Sequence, residues 1–501
     1  MRWVKKLRFP GTKDLSSCIL LCVLSIMIAS CTSGTAPKTS TVRGRVVLEG
    51  MDDHQAASVL LYQADIVDDE LREVNTQHPS LGFPLRDQHL FDHRDYVPVY
   101  TTTTSSDGSF EVKGVEKDKY ILVLLREGFG PRYLYDLELD SDVVEVNNGE
   151  DIHLFEVFEL PQYVDGEFVF ESGKSYVAET DVTFLPGSVL SVMGGSALWI
   201  GSSYGVTCHG EIEFQSSYEN PFKIGSKDQL FHTDTSFNPF VKFEISQLAE
   251  LNEISGLVFR KSQEGLVLKG SDIEVTECLF TDNATSFLIT TGSNLTVANS
   301  YFARSSGSNC VGLSLYDSHD VVIEYSSFSS ISSVALLVES SQGIKSKNNL
   351  FNGGRQHVLN RYSSDLEVVN CTFLDAVYCL TNTARSTMEI QWSDINGETG
   401  VYTYHTGNQI NTPSNGWTKI SNSNINGTLY NVRAQALYTS SQPYIVLDFS
   451  NNYWGTANAA EIEESIIDTN DLEPHDLPNV VHALIDFNPF RTNRVSNAGI
   501  Q

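Results

Sequence analysis

The sequence predicts an all-β protein in which a small β-sandwich precedes a long solenoid of stacked β-coils. Three observations support this fold class. Glycine, phenylalanine and tyrosine are plentiful (35, 26 and 21 of 501 residues), which is typical of strands and turns. Short segments of alternating hydrophobicity fill residues 42–158. After residue 160, one short phrase returns about every 22 residues, as in a solenoid whose coils bury their apolar sides against one another.

The chain is strongly acidic, with 63 acidic against 33 basic residues and a net charge of -30. Without residues 1–30, which hold five basic residues and one acid, the balance is 28 − 62 = −34. Such a surface repels phosphate backbones and anionic membranes, so we predict no nucleic-acid partner. Neutral glycans or cations suit it better. The alternative is that the charge only keeps an exported protein soluble.

The first thirty residues predict export. Basic residues between Arg2 and Lys13 precede an apolar run over 18–28, which is short for a membrane span. The run ends in two small residues, Ala29 and Ser30, followed by Cys31.

This N-terminus resembles the bacterial lipobox. The resemblance implies a signal peptide over 1–30, lipidation of Cys31, and a tether over 31–41 that holds the body at a membrane surface. Because Thr32 and not aspartate follows the cysteine, the resemblance implies delivery to the outer membrane. An ordinary signal peptide or an anchor helix is the alternative.

Residues 42–158 predict the sandwich. Residues 42–48, 57–62 and 120–125 have the composition of strands, and Asp107-Gly108 between β-rich runs is a hairpin signal. The segments resemble the carboxypeptidase regulatory-like domain, a prealbumin-like β-sandwich, with an insertion at about 63–98. Members of that family are usually spacers or adhesive modules, so we predict no catalytic site in this domain.

The solenoid repeat consists of a phrase with an aromatic or aliphatic residue two places after a small or polar one. Its first residues step by 22, 26, 23, 22, 22 and 30, which indicates stacked coils with loops inserted at fixed corners. The instances are Cys278-Leu-Phe280, Ser300-Tyr-Phe302, Ser326-Ser-Phe328, Asn349-Leu-Phe351, Cys371-Thr-Phe373, Ser393-Asp-Ile395 and Ser423-Asn-Ile425.

Asparagine precedes several of these phrases, at 299, 348, 370 and 422. Asparagine tolerates the left-handed backbone of a tight corner, and its side chain can bond to the next coil. The column resembles the asparagine ladder of the pectate-lyase-like right-handed parallel β-helix, although Glu277, Tyr325 and Trp392 interrupt it. The resemblance implies such a helix over 159–492, with a C-terminal tail over 493–501. An array of β-sandwiches is disfavoured, since a 22-residue period is too short for a sandwich domain.

In enzymes of that superfamily, substrate lies on the outward side of the first strand of each coil. Counting back from the turns places one outward residue per coil, and these residues are hydroxyl, aromatic and charged types that can bind a ligand. The substrate-binding residues predicted in this way are Thr290, Tyr316, Thr383 and His405, and the catalytic candidates are Glu339, Arg361 and His357.

Glu339 and Arg361 should be neighbours, because adjacent coils are about 4.8 Å apart. Glu339 could act as a base, and Arg361 could hold a uronate carboxylate. The alternative is a surface ion pair on a solvated sheet, worth at most about 1 kcal/mol. Asn360 and Asn382 fall at inward positions of successive coils and predict a buried amide pair.

No metal site or cofactor is predicted, although a calcium ion is compatible with the acidic composition. Asp282 and Asp375 occupy equivalent turns four coils apart, about 19 Å, and cannot share an ion. The cysteines of the body lack metal-ligand spacing and predict buried packing residues.

These features predict a monomeric, surface-displayed lipoprotein that binds a polysaccharide or surface glycan, or acts as an adhesive module, through the outward face of its β-helix. It would lie in the cell envelope, held in the outer membrane by its lipid. The alternatives are a polysaccharide lyase or glycoside hydrolase, and a structural envelope protein.

Overall fold

The fold was derived from a computed structural model that describes residues 39–66, 69–228, 230–231, 238–270, 272–406, 417–437, 444–468, 470–471 and 482–501. The predicted signal peptide and Cys31 lie outside these residues.

Two four-stranded sheets form the N-terminal domain and enclose one apolar core that includes Val42, Val59 and Leu122. One sheet contains Thr39–Leu48, Ser109–Glu116, Val143–Glu145 and Ile152–Leu154, and the other contains Ser58–Gln63, Tyr100–Thr103, Lys119–Leu125 and Arg132–Glu138. The predicted turn at Asp107-Gly108 is present, but its flanking strands do not pair as a hairpin. Each flanking strand joins a different sheet, so the turn connects the two layers of the sandwich.

The second domain is a parallel β-helix whose coils contribute strands to three sheets. The first sheet contains Tyr163–Val164, Val182–Phe184, Val206–Cys208, Phe240–Ile245, Ser262–Lys269, Ser286–Thr291, Val311–Tyr316, Val334–Glu339, Gln356–Arg361 and Ile466–Ile467. The second contains Phe158–Glu159, Ser175–Ala178, Ala197–Ile200, Phe222–Ser226, Leu257–Arg260, Leu279–Thr281, Tyr301–Ala303, Ser327–Ser329 and Leu350–Asn352.

Three long strands bend between these two sheets and belong to both: Thr372–Thr383, Asp394–Thr406 and Asn424–Leu437. The third sheet contains Glu167–Phe170, Val189–Met193 and Glu211–Gln215, then Glu253–Ser255, Asp272–Thr276, Asn294–Ala298, Val322–Glu324, Ile344–Lys347, Asp365–Val369, Thr387–Gln391 and Trp417–Ser421. Tyr444–Asp448, helix Ala459–Glu464 and His482–Asp486 close the C-terminal end.

Stacked aromatic rings run through the centre of the β-helix. Phe280, Phe302, Phe328, Phe351 and Phe373 lie parallel, with successive ring centroids 4.9, 4.6, 4.8 and 4.9 Å apart. These are the third residues of the first five predicted phrases, so one ring per coil fills the same place in five successive layers, and Ile395 and Ile425 continue the column. The fold class predicted from the repeat is confirmed.

The corner before each phrase has the left-handed backbone that the asparagines predict. The φ values at this column are between 47° and 54°, including those of Glu277, Tyr325 and Trp392, which are not asparagine. The bonds between coils, however, come from the next residue in the chain. The backbone N–H of Ser326 donates to Asn349 Oδ1 (2.8 Å), and that of Ser393 donates to Ser423 Oγ (3.1 Å). The ladder therefore lies one position later than predicted, because that position points into the core.

The insertion in the sandwich, residues 64–99, is here named the strap. It includes the helices Asp69–Gln77 and Asp87–Leu90 and a 3₁₀ turn at His93–Asp95. Its apolar residues cover the outward face of the second sheet, where Leu71, Val74 and Phe83 pack with Leu279 and Tyr301. Tyr301 Oη donates to Asn75 Oδ1 at 2.8 Å.

A buried ionic group fixes the strap to the β-helix. Asp92 is 3 % exposed and accepts two bonds from the Arg94 guanidinium, at 2.7 and 2.8 Å, while Lys261 lies 3.3 Å and Arg260 3.7 Å away. Burial alone would raise the pKa of Asp92, but these three cations hold it well below its usual range. Arg260 also donates to the carbonyl oxygens of the strap residues His89 and Leu90. The sandwich and the β-helix are therefore joined by a packed, charged contact.

The last residues of the chain cover the remainder of the second sheet. Val495 N–H donates to Asn424 Oδ1 (2.8 Å), and Ile500 N–H donates to Thr372 Oγ1 (3.3 Å). Ile500 packs against the same apolar group as the strap. The second sheet is thus covered from both ends, which leaves its outward face unsuited to a long ligand.

Candidate functional site

Two columns of outward side chains cross the first sheet. The outer column follows the register Thr291, Tyr316, Glu339, Arg361, Thr383, Tyr404 and Gln435. The middle column follows Glu244, Val267, Ile289, Ser314, Leu337, Leu359, Thr381, Tyr402 and Arg433. Adjacent members lie on adjacent coils, about 4.8 Å apart. The outer column confirms the predicted placement of Tyr316, Glu339, Arg361 and Thr383.

Glu339 and Arg361 form the ion pair that the spacing predicts. Nε and Nη2 of Arg361 donate to Glu339 Oε2 at 2.9 and 2.8 Å, and the two side chains are 34 % and 22 % exposed for Arg361 and Glu339. The guanidinium also lies 4.9 Å from the ring centroid of Tyr362, which is exposed. Both charges are therefore satisfied by each other before any ligand arrives.

His357 does not belong to this face, and its predicted outward position is wrong. It is fully buried between Phe351 and Phe373, with ring centroids 5.9 Å from each, and its Nε2 donates to the Gly353 carbonyl (3.1 Å). Burial lowers its pKa to about 4. The prediction failed because strand alternation stops at the corner, where His357 and the following Val358 both face the core.

Thr290 is also fully buried, so its predicted outward position is wrong by one residue. Its strand pairs Thr290 with Leu315 and Thr291 with Tyr316, which places Thr291 in the outer column. In the register of the next coils, Tyr404 and not His405 pairs with Thr383. The side chain of His405 lies outside the described residues.

The buried amide pair is confirmed. Asn360 Nδ2 donates to Asn382 Oδ1 at 3.0 Å, and both side chains are inaccessible to solvent. Asn382 Nδ2 also donates to the carbonyl oxygen of Trp417 and to Thr418 Oγ1. These residues fix the core beneath Arg361 and Thr383.

The C-terminal end of the first sheet carries an aromatic and cationic group that the sequence prediction missed. Ring centroids of Tyr378 and Tyr402 are 6.0 Å apart, and the guanidinium of Arg433 lies 5.9 Å from the Tyr402 centroid. Tyr402 Oη donates to Gln435 Oε1 at 3.1 Å. The repeated phrase is present on these coils, but a register shift in the strand of Tyr378 and the 30-residue step before Ser423 displace the count, and only the strand register aligns the group with Glu339 and Arg361.

The N-terminal end of the same sheet carries a smaller charged group. Glu244 accepts from Lys242 (2.6 Å) and from Lys269 (2.7 Å), and it is largely buried. Burial would raise the pKa of Glu244, but bonds from the two lysines lower it.

No group of three or more histidine, cysteine, aspartate or glutamate side chains in the described part of the chain is arranged to hold a metal ion. Asp282 and Asp375 take the equivalent left-handed turns predicted for them, with φ of 56° and 58°. The five cysteines from Cys208 to Cys379 are buried, as predicted. Among the described residues, no helix has the length and apolar character needed to cross a membrane.

Comparison with known families agrees with this geometry. Residues 245–395 match the family described as right handed beta helix region. The second domain is a right-handed parallel β-helix. No curated protein shows detectable similarity to the chain. The matched part of the right-handed β-helix contains Glu339 and Arg361 but not Tyr402 or Arg433.

Proposed function

We propose that this protein is a surface-displayed lipoprotein that binds a glycan along the outward face of the first sheet. The observation that carries the proposal is the outer column, in which hydroxyl, aromatic and charged side chains repeat once per coil. Sugars offer hydroxyl groups to such hydrogen-bonding side chains and apolar ring faces to tyrosines. The spacing of about 4.8 Å is close to the advance of one sugar unit in an extended chain, so successive units would meet equivalent positions.

The coverage of the other faces supports this choice of sheet. The strap and the C-terminal tail occupy the second sheet. The third sheet presents exposed charged pairs such as Lys345 with Glu367, 3.6 Å apart, which are typical of a solvated surface.

Binding is better supported than cleavage. A general base needs a free carboxylate within reach of the substrate, whereas Glu339 is held by two bonds from Arg361. The second catalytic candidate, His357, lies inside the core. A hydrolase needs two carboxyl groups within about 5–10 Å, and the outer and middle columns provide only Glu244 and Glu339, on coils four steps apart.

The test is a screen of the unlipidated body, residues 32–501, against plant, algal and host polysaccharides. Retention in affinity electrophoresis and release of new reducing or unsaturated ends would be measured in parallel. We expect wild type to be retained by a glycan without cleaving it. Retention should weaken in Arg361→Ala but not in Lys345→Ala, the matched control that removes a cation from the third sheet. Turnover that is lost in Glu339→Ala would establish the lyase or hydrolase alternative. If neither retention nor turnover is observed, no glycan of the panel is a ligand, and a structural role is favoured.

Anchoring through Cys31 is tested separately. We expect the wild-type protein in the membrane fraction of a bacterial host and Cys31→Ala outside it, with acyl chains detected by mass spectrometry on the wild type alone. An unmodified Cys31 in a membrane-bound protein would favour the anchor-helix alternative.

A further inference from the structure

Arg433 is the cation on the outward columns of the first sheet whose charge is not matched by a carboxylate of the described residues. Arg361 pairs with Glu339, and Lys242 and Lys269 share Glu244. The contact found for the Arg433 guanidinium is the face of the Tyr402 ring, 5.9 Å to the centroid. Its Nε is buried and has no hydrogen-bond partner among the residues that the structure describes.

Arg433 Nε has almost no solvent-accessible surface, so a ligand would meet the guanidinium at its terminal N–H groups. Guanidinium groups prefer planar or multi-oxygen anions, because two parallel N–H donors can reach two oxygens at once. The chemistry at this position therefore favours a carboxylate or a sulfate ester over a neutral hydroxyl.

The neighbours of Arg433 suit a sugar that carries such a group. Tyr378 and Tyr402 provide adjacent ring faces, 6.0 Å between centroids, on which a pyranose can lie. Since Tyr402 Oη donates to the amide oxygen of Gln435, the amide NH2 of Gln435 is left to donate to a ligand. Aromatic faces, a guanidinium and an amide thus meet within three successive coils.

The charge of the sheet differs from that of the whole chain. Its two outward columns, with Lys269 beside Thr291 in the outer one, carry three cations, Lys269, Arg361 and Arg433, against the carboxylates of Glu244 and Glu339. The chain as a whole has a net charge of -30. An excess of cations on one face of an acidic protein directs anionic ligands to that face.

We infer that Arg433, Tyr402, Tyr378 and Gln435 form a subsite that binds the anionic substituent, carboxylate or sulfate, of an acidic glycan at the C-terminal end of the first sheet. This inference rests on the proposed function and specifies the class of glycan. It also assigns the anion to Arg433 rather than to Arg361, whose charge is already neutralised by Glu339.

The experiment uses the chain without its leader and three probes: a polyuronate, the same polymer after reduction of its carboxyl groups, and a sulfated polymer of neutral sugars. Affinities are measured for wild type, Arg433→Gln, Arg433→Lys and Arg132→Gln. The last is a matched control, because Arg132 is an exposed arginine of the sandwich. Thermal midpoints establish that each variant is folded.

We expect Arg433→Gln to weaken binding of the anionic probe by at least about tenfold, the loss of one charge-assisted contact, with Arg433→Lys intermediate. Binding of the reduced polymer should change less than about twofold. Preference for the polyuronate or for the sulfated polymer identifies the substituent. Equal affinities of Arg433→Gln and Arg132→Gln for the anionic probes would overturn the subsite. The proposed glycan binding would still stand in that case if the protein retains the reduced polymer. If wild type retains none of the probes, the subsite is refuted, and failure of the broader panel as well would refute the proposed function.

Discussion

His357 makes the stability of the β-helix dependent on pH in a way that can be calculated. Its Nε2 donates to the Gly353 carbonyl, its Nδ1 has no partner, and burial lowers its pKa from 6.5 to about 4. Between these two values the unfolded chain binds a proton that the folded chain does not. Stability contributed by His357 is therefore complete above pH 6.5 and is lost as the pH falls toward 4.

The size of this loss follows from the two pKa values. At pH 4.5 the proton stabilises the unfolded chain by about 2.5 kcal/mol relative to the folded chain, and far below pH 4 the difference approaches about 3.4 kcal/mol. His357→Phe and His357→Gln both remove the titrating group. Each substitution has its own effect on the free energy of unfolding at pH 7.5. On transfer to pH 4.5, however, both variants should lose about 2.5 kcal/mol less of that free energy than wild type does.

The assay is urea unfolding followed by far-ultraviolet circular dichroism at pH 7.5 and 4.5. His319 offers a matched control because it is exposed, and His319→Gln should show the wild-type change between the two pH values. If both His357 variants lose as much stability as wild type on acidification, the buried neutral imidazole does not contribute to the pH dependence of stability. That result would refute the reasoning.

Three further outcomes are expected in urea unfolding at neutral pH. Asp92→Asn should lower the free energy of unfolding by about 3–5 kcal/mol, because it leaves buried cations uncompensated. Glu111→Gln, in an exposed ion pair, should lower it by less than about 1 kcal/mol. Similar losses would contradict a stabilising role for the buried ionic group that holds the strap. Phe328→Ala should cost about 3–5 kcal/mol by opening a cavity in the phenylalanine stack, and Phe158→Ala, at a half-exposed ring, clearly less; equal losses would argue against a close-packed stack. Asn382→Ala should cost about 1–3 kcal/mol, because its buried amide partner loses an acceptor, and a neutral effect would indicate that water replaces it.

Much of the β-helix could be predicted because each coil repeats the same local requirements. The phrase containing Phe328 places one aromatic ring per coil, and the period aligns Glu339 with Arg361 without knowledge of any other contact. Asn360 and Asn382 were predicted by the same counting. These predictions held because neighbouring coils are close in sequence and their register is set by a nearly constant step.

The predictions failed where that regularity is broken. His357 lies at a corner of its coil, and the strand register places Thr291 rather than Thr290 in the outer column; in both places a shift of one position exchanges the outside for the core. Tyr402 follows a register shift in the preceding strand and Arg433 follows a 30-residue step, so counting from the phrase did not align them with the rest of the face.

The fold class, the stacking order of the coils and the pairing of Glu339 with Arg361 follow from the amino-acid pattern alone, because a short repeat encodes contacts that are local along the solenoid. The face that is available to a ligand depends on how distant parts of the chain pack. The strap at residues 64–99 and the tail ending at Gln501 reach the second sheet from opposite ends of the chain, and their packing on Tyr301 and Thr372 depends on contacts between residues more than a hundred positions apart. No local pattern encodes such contacts, since they form only after the coils have assembled a common surface.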